Sequence, residues 1–173
     1  YPPRFERAEA GMEVWRFGPA WAINLAGSAF EKAAFGHIGG RPGPPDATLA
    51  RAAIELCKAL VAEDLAPTLH DISDGGLALA LAEVCIEAGI GAEIEYAEWR
   101  QLFAEDPHRL IAAIRPEDGE RVAALAAEAG IEAARIGTFG GSDITFVAGA
   151  VCSSVPVAKA ADTYRQAIAG RMR

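Results

Sequence analysis

The chain has 173 residues, of which 51% are hydrophobic, so it is long and apolar enough to form one domain with a substantial core. Its 24 acidic residues outnumber 16 basic residues, which gives a formal charge of -8, and basic residues never occur consecutively. This charge distribution argues against binding to nucleic acid or to an anionic membrane surface. The sequence therefore predicts no nucleic-acid partner and no membrane partner.

Cysteine and histidine residues are few and widely separated. No pair of them has the spacing of a zinc site, and we expect the three thiols to be buried and reduced, as in a cytosolic protein. The charge-free run at 144–158 is too short and too interrupted to span a bilayer, and no secretory signal pattern occurs. These features predict a cytoplasmic location. The residues concerned are Cys57, Cys85, Cys152, His37, His70 and His108.

The first part of the chain is rich in Pro, Arg and Glu and has no clear periodicity. We therefore predict a lead-in or linker over residues 1–17 and one domain over residues 18–173. Within the domain, an apolar run at Trp21–Leu25 predicts a strand, and a short helix is expected over Ser28–His37. Three prolines and three glycines in Gly39–Asp46 predict a loop.

Helices and strands alternate from Asp46 onwards. Asp46 is expected to cap a helix whose apolar residues recur with a 3.6-residue period. The alternation predicts an α+β domain (alternating α/β), with a mixed sheet and helices on at least one face. The further predicted strands are 68–72, 92–96, 109–114, 133–138 and 143–147, and the further predicted helices are 75–88, 97–103, 116–130 and 157–168.

The heptapeptide "HDISDGG", His70–Gly76, places two acids and two glycines where a strand gives way to an apolar helix. The first turn of a helix has free amides and a positive dipole end, which favour a phosphate, and an Asp at the strand end can hold the accompanying magnesium. The alternative is a capped turn, in which Ser73 or Asp74 caps the helix, the glycines supply backbone freedom, and Asp71 pairs locally. The spacing alone leaves both interpretations open.

Three other positions invite the same question. His70 could contact a phosphate or a base, but a neutral histidine with its hydrogen bonds satisfied at a strand end is the simpler expectation. Gly27 and Ser28 form a second strand-to-helix turn, for which a capping role of Ser28 is the simpler interpretation. Glu105 and Asp106 lie in a loop before an apolar strand, where adjacent acids are usually solvated. The residues form no recognisable nucleophilic triad, so no catalytic residue is predicted.

The stretch "HDISDGGLALALAE" resembles the "HDxSDGGLAxALAE" signature of the phosphoribosylformylglycinamidine synthases of purine biosynthesis. Other stretches follow in the family's order: "WAINLAGSAF" is similar to its "vxLiGGSEY" turn, and "LFAEDPHRLIAAI" to its "LFgEsxgRyLv" loop and strand. The resemblance covers roughly Gly18 to the C-terminus. It points to the C-terminal domain of the synthetase, which is similar to the C-terminal domain of aminoimidazole ribonucleotide synthase.

The resemblance implies a three-layer α-β-α domain of a C–N ligase that converts formylglycinamide ribonucleotide and glutamine-derived ammonia to formylglycinamidine ribonucleotide. It implies ATP or ADP and Mg2+ as cofactors, and as partners the remaining lobes of the synthetase and a glutaminase domain or subunit. The isolated domain should be inactive. By the resemblance, Asp71 matches a metal-holding position, and nucleotide or phosphate would meet His70, Asp71, Ser73, Asp74, Gly75, Gly76, Gly27, Ser28 and Glu105.

The chain also departs from the family pattern. The Gly-Gly-Ser-Glu-Tyr turn is here Ala26–Phe30, which loses a glycine, an acid and a hydroxyl, and Pro107 replaces a residue with a free amide. Both changes remove polar groups that could hold a nucleotide. They favour the alternative of a non-catalytic structural or auxiliary nucleotide-binding lobe. A further alternative is a domain of a related ATP-dependent synthetase, such as selenophosphate synthetase or a hydrogenase maturation protein.

Overall fold

The structure is a computed structural model that describes residues 2–19 and 23–171. Short 3-10 helices occur at Phe5–Arg7, Trp99–Leu102 and Pro116–Asp118. The strands are β1 Glu13–Phe17, β2 Thr68–Asp71, β3 Ala92–Glu95, β4 Leu110–Ile114, β5 Ala133–Phe139, β6 Asp143–Ala148 and β7 Val151–Pro156. The α-helices are α1 Ala29–Phe35, α2 Ala47–Ala62, α3 Gly76–Ala88, α4 Gly119–Glu128 and α5 Val157–Arg171.

The seven strands form one sheet in the order β2-β4-β1-β5-β3-β6-β7. The β3–β6 pair is parallel and the other described pairs are antiparallel, so the sheet is mixed. Helix α3 and the start of α5 pack on one face, and α2 and α4 pack on the other. This arrangement confirms the predicted α+β class with three α-β-α layers.

Strand β1 corrects the predicted lead-in, because residues 13–17 pair with β4 on one side and β5 on the other, at the centre of the sheet. Val14 packs into the core on the α3 face, whereas Trp15 and Phe17 pack into the core on the α2 face. A strand that is covered on both faces has no polar–apolar alternation. The buried Arg16 disguises it further, since its guanidinium bonds the Gly18 carbonyl and lies 2.7 Å from the Glu132 carboxylate.

Other predicted elements need smaller corrections. The strand expected at Trp21–Leu25 lies partly outside the described residues, and residues 23–25 form no strand. Strand β7 was not predicted. Its first four residues are all exposed, so it has no alternation of polar and apolar side chains. The helix expected over residues 97–103 is a single 3-10 turn, Trp99–Leu102.

The three cysteines are free thiols, but their burial differs from the prediction. Cys85 is buried, and burial raises the pKa of its thiol to about 12. Cys57 is half-buried and Cys152 is exposed, so the expectation of three buried thiols is wrong for these two. Among the described residues, the helices are all too short or too polar to cross a bilayer.

Helices α2 and α3 position the candidate site. Asp46 caps α2 as predicted, because its carboxylate accepts the backbone N–H groups of Thr48 at 2.8 Å and Leu49 at 3.0 Å. Helix α3 ends at Gly89, whose φ of 70° is the left-handed conformation of a helix C-cap. Its N-terminus lies beside the end of β2, which pairs with β4 and so brings the 103–109 loop close to the "HDISDGG" turn.

Candidate functional site

The turn between β2 and α3 is built from two consecutive left-handed glycines. Gly75 has φ 78° and Gly76 has φ 69°, and the Gly76 amide donates to the Ser73 carbonyl at 2.9 Å. Gly75 itself is the N-cap residue, so no side chain of the turn caps the helix. The alternative prediction, in which Ser73 or Asp74 caps α3, is therefore wrong.

The amide of Gly75 is satisfied instead by Glu105. One carboxylate oxygen, Oε1, accepts the Gly75 N–H at 2.7 Å and the Ala29 N–H, at the start of α1, also at 2.7 Å. Glu105 is 30 residues from Gly75 and 76 residues from Ala29 in sequence, so the fold gathers three separate parts of the chain here. The expectation that Glu105 is merely solvated is wrong, because it provides the anion that both helix starts attract.

A groove of about 470 Å³ opens beside this contact, between α2, the β2–α3 turn and the 103–109 loop. Three acidic residues line it, Asp71, Asp74 and Glu105, and the hydroxyl of Ser73 lies among them. A groove of this sign repels free phosphate, so an anionic ligand would need a cation with it. The structure thus brings together Asp71, Ser73, Asp74, Gly75, Gly76 and Glu105, with Gly27 and Ser28 in the adjoining turn.

Asp71 lies at the exit of strand β2, with 65% of its side chain exposed. Burial acts to raise the pKa of this carboxyl, but hydrogen bonds with Ser73 and His70 outweigh it and hold the pKa below its usual value. The carboxylate is therefore ionised at neutral pH and available to a hard cation. Among the described residues, no group of three or more His, Cys, Asp or Glu side chains is arranged to hold a metal ion. Asp71 fits magnesium only as one ligand beside water and phosphate oxygens.

His70 does not line this groove. Its Nε2 lies 2.8 Å from Glu83 Oε2, its Nδ1 lies 3.1 Å from Asp71 Oδ1, and its ring stacks on Phe5 with centroids 4.5 Å apart. It borders a separate pocket that also contains Tyr164. The imidazole is thus engaged within the protein on both sides, as expected, but a neutral imidazole has one N–H and could donate to only one of the two carboxylates, so the neutral state stays a prediction.

Gly27 and Ser28 form the turn that starts α1. The buried Ser28 hydroxyl accepts the Glu31 N–H at 3.1 Å, which confirms the predicted cap. The Gly27 amide donates to the Gly39 carbonyl at 2.9 Å and to the Glu31 carboxylate at 3.2 Å. Both groups are engaged inside their own loop, and the turn meets the groove through Ala29 and Glu105.

Sequence reasoning missed Arg109, which lines the groove and is only 2% exposed. Its guanidinium donates to the carbonyls of Ala104 at 3.1 Å and Gln101 at 3.4 Å, and its Nε has no hydrogen-bond partner among the described residues. Burial and the nearby Arg16 lower the pKa of Arg109 to about 10, so it remains charged at neutral pH. The signal available in the sequence was an arginine directly before an otherwise apolar strand.

Comparison with known proteins identifies the family. Residues 9–149 match the model of the AIR synthase related protein, C-terminal domain. The subunit PurL of phosphoribosylformylglycinamidine synthase from Thermobifida fusca is 36% identical over 167 residues, covering 93% of this chain and 21% of the relative. The corresponding subunit from Anaeromyxobacter is 36% identical over 163 residues, covering 86% of this chain and 21% of the relative. The chain thus spans about a fifth of the length of these relatives.

Solved structures show the same fold at low identity. A T. maritima PurL complexed with FGAR aligns with a TM-score of 0.73 and 19% identity, covering 89% of this chain and 28% of that chain. A hydrogenase maturation protein HypE aligns with a TM-score of 0.63 and 17% identity, covering 88% of this chain and 54% of that chain. The curated relatives confirm the resemblance inferred from the "HDISDGG" turn. The chain belongs to the family of AIR synthase related proteins, as a C-terminal domain of that family.

Proposed function

We propose that this chain is the C-terminal domain of an ATP-dependent synthetase that converts formylglycinamide ribonucleotide and glutamine-derived ammonia to formylglycinamidine ribonucleotide in purine biosynthesis. The observation that carries the proposal is the 36% identity to a PurL subunit over 93% of the chain. The domain would act with the remaining lobes of the synthetase and a glutaminase domain or subunit in the cytoplasm. It would not turn over alone, because it spans only about a fifth of the length of the PurL subunits that it matches.

Within that enzyme, the groove beside the β2–α3 turn would take the phosphates of ATP or ADP. T. maritima PurL has been solved with ATP, ADP and AMPPCP, which supports a nucleotide as the ligand class. Asp71 would hold Mg2+, which neutralises phosphate charge when bound, while the amide of Gly75 would face a phosphate oxygen and the Gly76 amide would stay on the Ser73 carbonyl. Because Glu105 already accepts the Gly75 amide, the phosphate would have to displace that carboxylate.

The second candidate is a structural lobe that binds no nucleotide. The Glu105 contact favours it specifically, because the anion position between the two helix starts is filled by the protein's own carboxylate. The third candidate, a domain of a hydrogenase maturation protein or another related synthetase, shares the fold. The identity to PurL subunits argues against it.

The test is thermal melting of the chain with Mg-ADP, with Mg-ATP and with EDTA. A ligand at about 100 times its dissociation constant stabilises the folded state by roughly 2.7 kcal/mol, a shift that a melt of this domain resolves. The nucleotide role predicts a magnesium-dependent rise in Tm that Asp71→Asn abolishes. Asp162→Asn, at an exposed aspartate of α5 outside the groove, is the control and should keep the rise. A cooperative melt with no shift would favour the structural lobe.

Membership of the synthetase itself needs a separate experiment. In the Thermobifida fusca subunit, the region that matches this chain would be exchanged for it, and ADP release dependent on formylglycinamide ribonucleotide and ammonia would be measured. Retained activity supports the proposal. A folded, correctly assembled exchange variant without activity would contradict it, and this outcome is independent of whether the isolated chain binds nucleotide.

A further inference from the structure

Residues 23–45, here called the α1 segment, leave the sheet after β1 and return at the start of α2. Most of this segment is exposed, and its internal hydrogen bonds are extensive, including the Glu31 carboxylate on the Gly27 and Gly39 amides. Within the described residues, one hydrogen bond joins the segment to a part of the domain distant in sequence: Ala29 N–H to Glu105 Oε1, at 2.7 Å. The placement of the segment therefore depends on very few contacts.

An aromatic contact of the α1 segment comes from residues just before Glu105. Phe30 stacks on Phe103 with ring centroids 4.5 Å apart and lies 5.4 Å from Trp99. Phe103 is two residues before Glu105, so the apolar and the polar contact are adjacent. Aromatic stacking tolerates sliding and rotation, whereas a hydrogen bond to a carboxylate fixes an atom. The carboxylate therefore sets the position.

Glu105 also fixes the β2–α3 turn, through the same oxygen that holds Ala29. Both N–O distances are 2.7 Å, at the short end of the range for charge-assisted hydrogen bonds. Each amide belongs to the start of a helix and has no intrahelical acceptor, so loss of the carboxylate leaves two donors to water. One atom thus joins two turns that lie 46 residues apart in sequence (75 − 29).

We propose that, in the ligand-free chain, Glu105 is a positioning residue that ties the α1 segment to the β2–α3 turn and so sets the geometry of the groove. The proposal rests on the proposed function only for the identity of the ligand that the groove binds. The tie is a property of the ligand-free chain, so it is tested without nucleotide, and its failure is distinguishable from a failure to bind Mg-ADP.

The test compares amide hydrogen exchange by NMR in the ligand-free chain and three variants. In Glu105→Ala, exchange at Ala29 and Gly75 should accelerate together by about 10- to 100-fold, as expected for loss of a hydrogen bond to a charged group. Trypsin should also cut faster after Lys32, in the released α1 segment. Exchange in the buried parts of α2 and α3, at Leu60 and Val84, should be unchanged.

Two further variants separate the tie from general effects of charge and folding. Glu105→Gln keeps an oxygen that can accept both amides, so it should restore most of the protection while moving both amide proton shifts upfield together. Asp74→Asn removes an exposed carboxylate of the same groove. Because residue 74 directly precedes Gly75 and alters its amide locally, this control is evaluated at Ala29, whose exchange should stay as it is.

Three results would overturn the proposal: exchange at Ala29 and Gly75 that is unchanged in a folded Glu105→Ala chain, a response at one amide alone, or an equal response at Ala29 in Asp74→Asn. If Glu105→Ala does not fold, Glu105→Gln decides the matter. Joint upfield shifts of the two amide protons then support the tie, and shifts at neither or at one alone reject it.

Discussion

His70 Nε2 lies 2.8 Å from Glu83 Oε2, which joins the end of strand β2 to the middle of helix α3. The other oxygen of Glu83 accepts the Tyr164 hydroxyl of α5 at 3.3 Å. A single carboxylate therefore connects a strand and two helices on one face of the sheet. Its negative charge, and then its hydrogen bond, raise the pKa of the Tyr164 phenol.

This relationship predicts how Tyr164 titrates. Glu83→Gln removes the dominant charge and should lower the pKa of Tyr164 toward the ordinary value for tyrosine, as measured by ultraviolet difference titration. Glu87→Gln is the matched control, since its charge acts on the same phenol more weakly. Tyr164→Phe identifies the signal among the three tyrosines of the chain. Identical titration curves for the chain and Glu83→Gln would contradict the coupling.

The direction of the shift also fixes its effect on stability. The folded state holds the phenolic proton more tightly than the unfolded state, so the contribution of Tyr164 is complete below the ordinary pKa of tyrosine. It is lost as pH rises through the higher pKa of the folded state. At neutral pH, Tyr164→Phe should therefore remove only the hydrogen bond to Glu83.

The buried Arg109 predicts a measurable loss of stability on substitution. Arg109→Met keeps most of the side-chain volume but removes the donor to the Ala104 carbonyl. It also relieves the cost of burying a charge. We expect the loss of the donor to dominate, with a net destabilisation of about 1–3 kcal/mol in urea unfolding. Arg135→Met, at an exposed arginine, should cost less than roughly 1 kcal/mol. Equal midpoints for the two variants would disprove the structural role of Arg109.

Local signals explain which elements could be predicted from the sequence. Helix α2 has a capping Asp46 and a regular apolar stripe, and strand β4 is a short apolar run after a loop, so the start of α2 and both ends of β4 were predicted within a residue. Strands β1 and β7 lack the alternation of a half-buried strand. The first is covered on both faces and the second is exposed along most of its length, so pattern alone identifies neither.

The candidate site divides in the same way. The "HDISDGG" turn is continuous in sequence, so its glycines and Asp71 could be placed before a helix from the spacing alone. The Glu105 contact depends on β2 pairing with β4, which brings a distant loop to the helix start. The pairing of two distant strands produces no pattern in the sequence near Glu105. The capping interpretation of Ser73 and Asp74 was wrong because Gly75 takes the N-cap position itself.

The two glycines of the turn should differ in their tolerance of alanine. At both, a positive φ costs an alanine roughly 1–2 kcal/mol. A Cβ at Gly75 would lie 2.6 Å from Leu79 Cδ2, which can rotate away, and 2.7 Å from Leu79 Cβ, which moves only with its helix. A Cβ at Gly76 would meet backbone alone, 2.7 Å from the Leu102 carbonyl oxygen and 2.8 Å from backbone atoms of Phe103. Gly76→Ala should therefore destabilise the chain by about 1–3 kcal/mol more than Gly75→Ala. Chemical denaturation of the pair tests the ranking, and a reversed order would contradict it.

Acid should loosen the α1 segment before it unfolds the core. The Glu31 carboxylate accepts the Gly39 amide at 2.8 Å and the Gly27 amide at 3.2 Å, and these bonds, that of Gly39 foremost, lower its pKa. A carboxyl whose pKa is lower in the folded state stabilises above its ordinary pKa, and this contribution is lost as pH falls through the lower folded value. The loop that Glu31 holds should therefore loosen in that acidic range.

Amide chemical shifts followed through an acid titration measure this opening directly. The Gly27 and Gly39 signals should move with one shared midpoint below the ordinary pKa of glutamate, whereas Leu60, in the buried part of α2, should stay in place. In Glu31→Gln the carboxamide oxygen does not titrate, so the shared transition should vanish. Among the described residues, no other carboxylate accepts either amide, so the transition is expected to come from Glu31. If the transition persisted in Glu31→Gln, another acid would cause it and the prediction would be wrong.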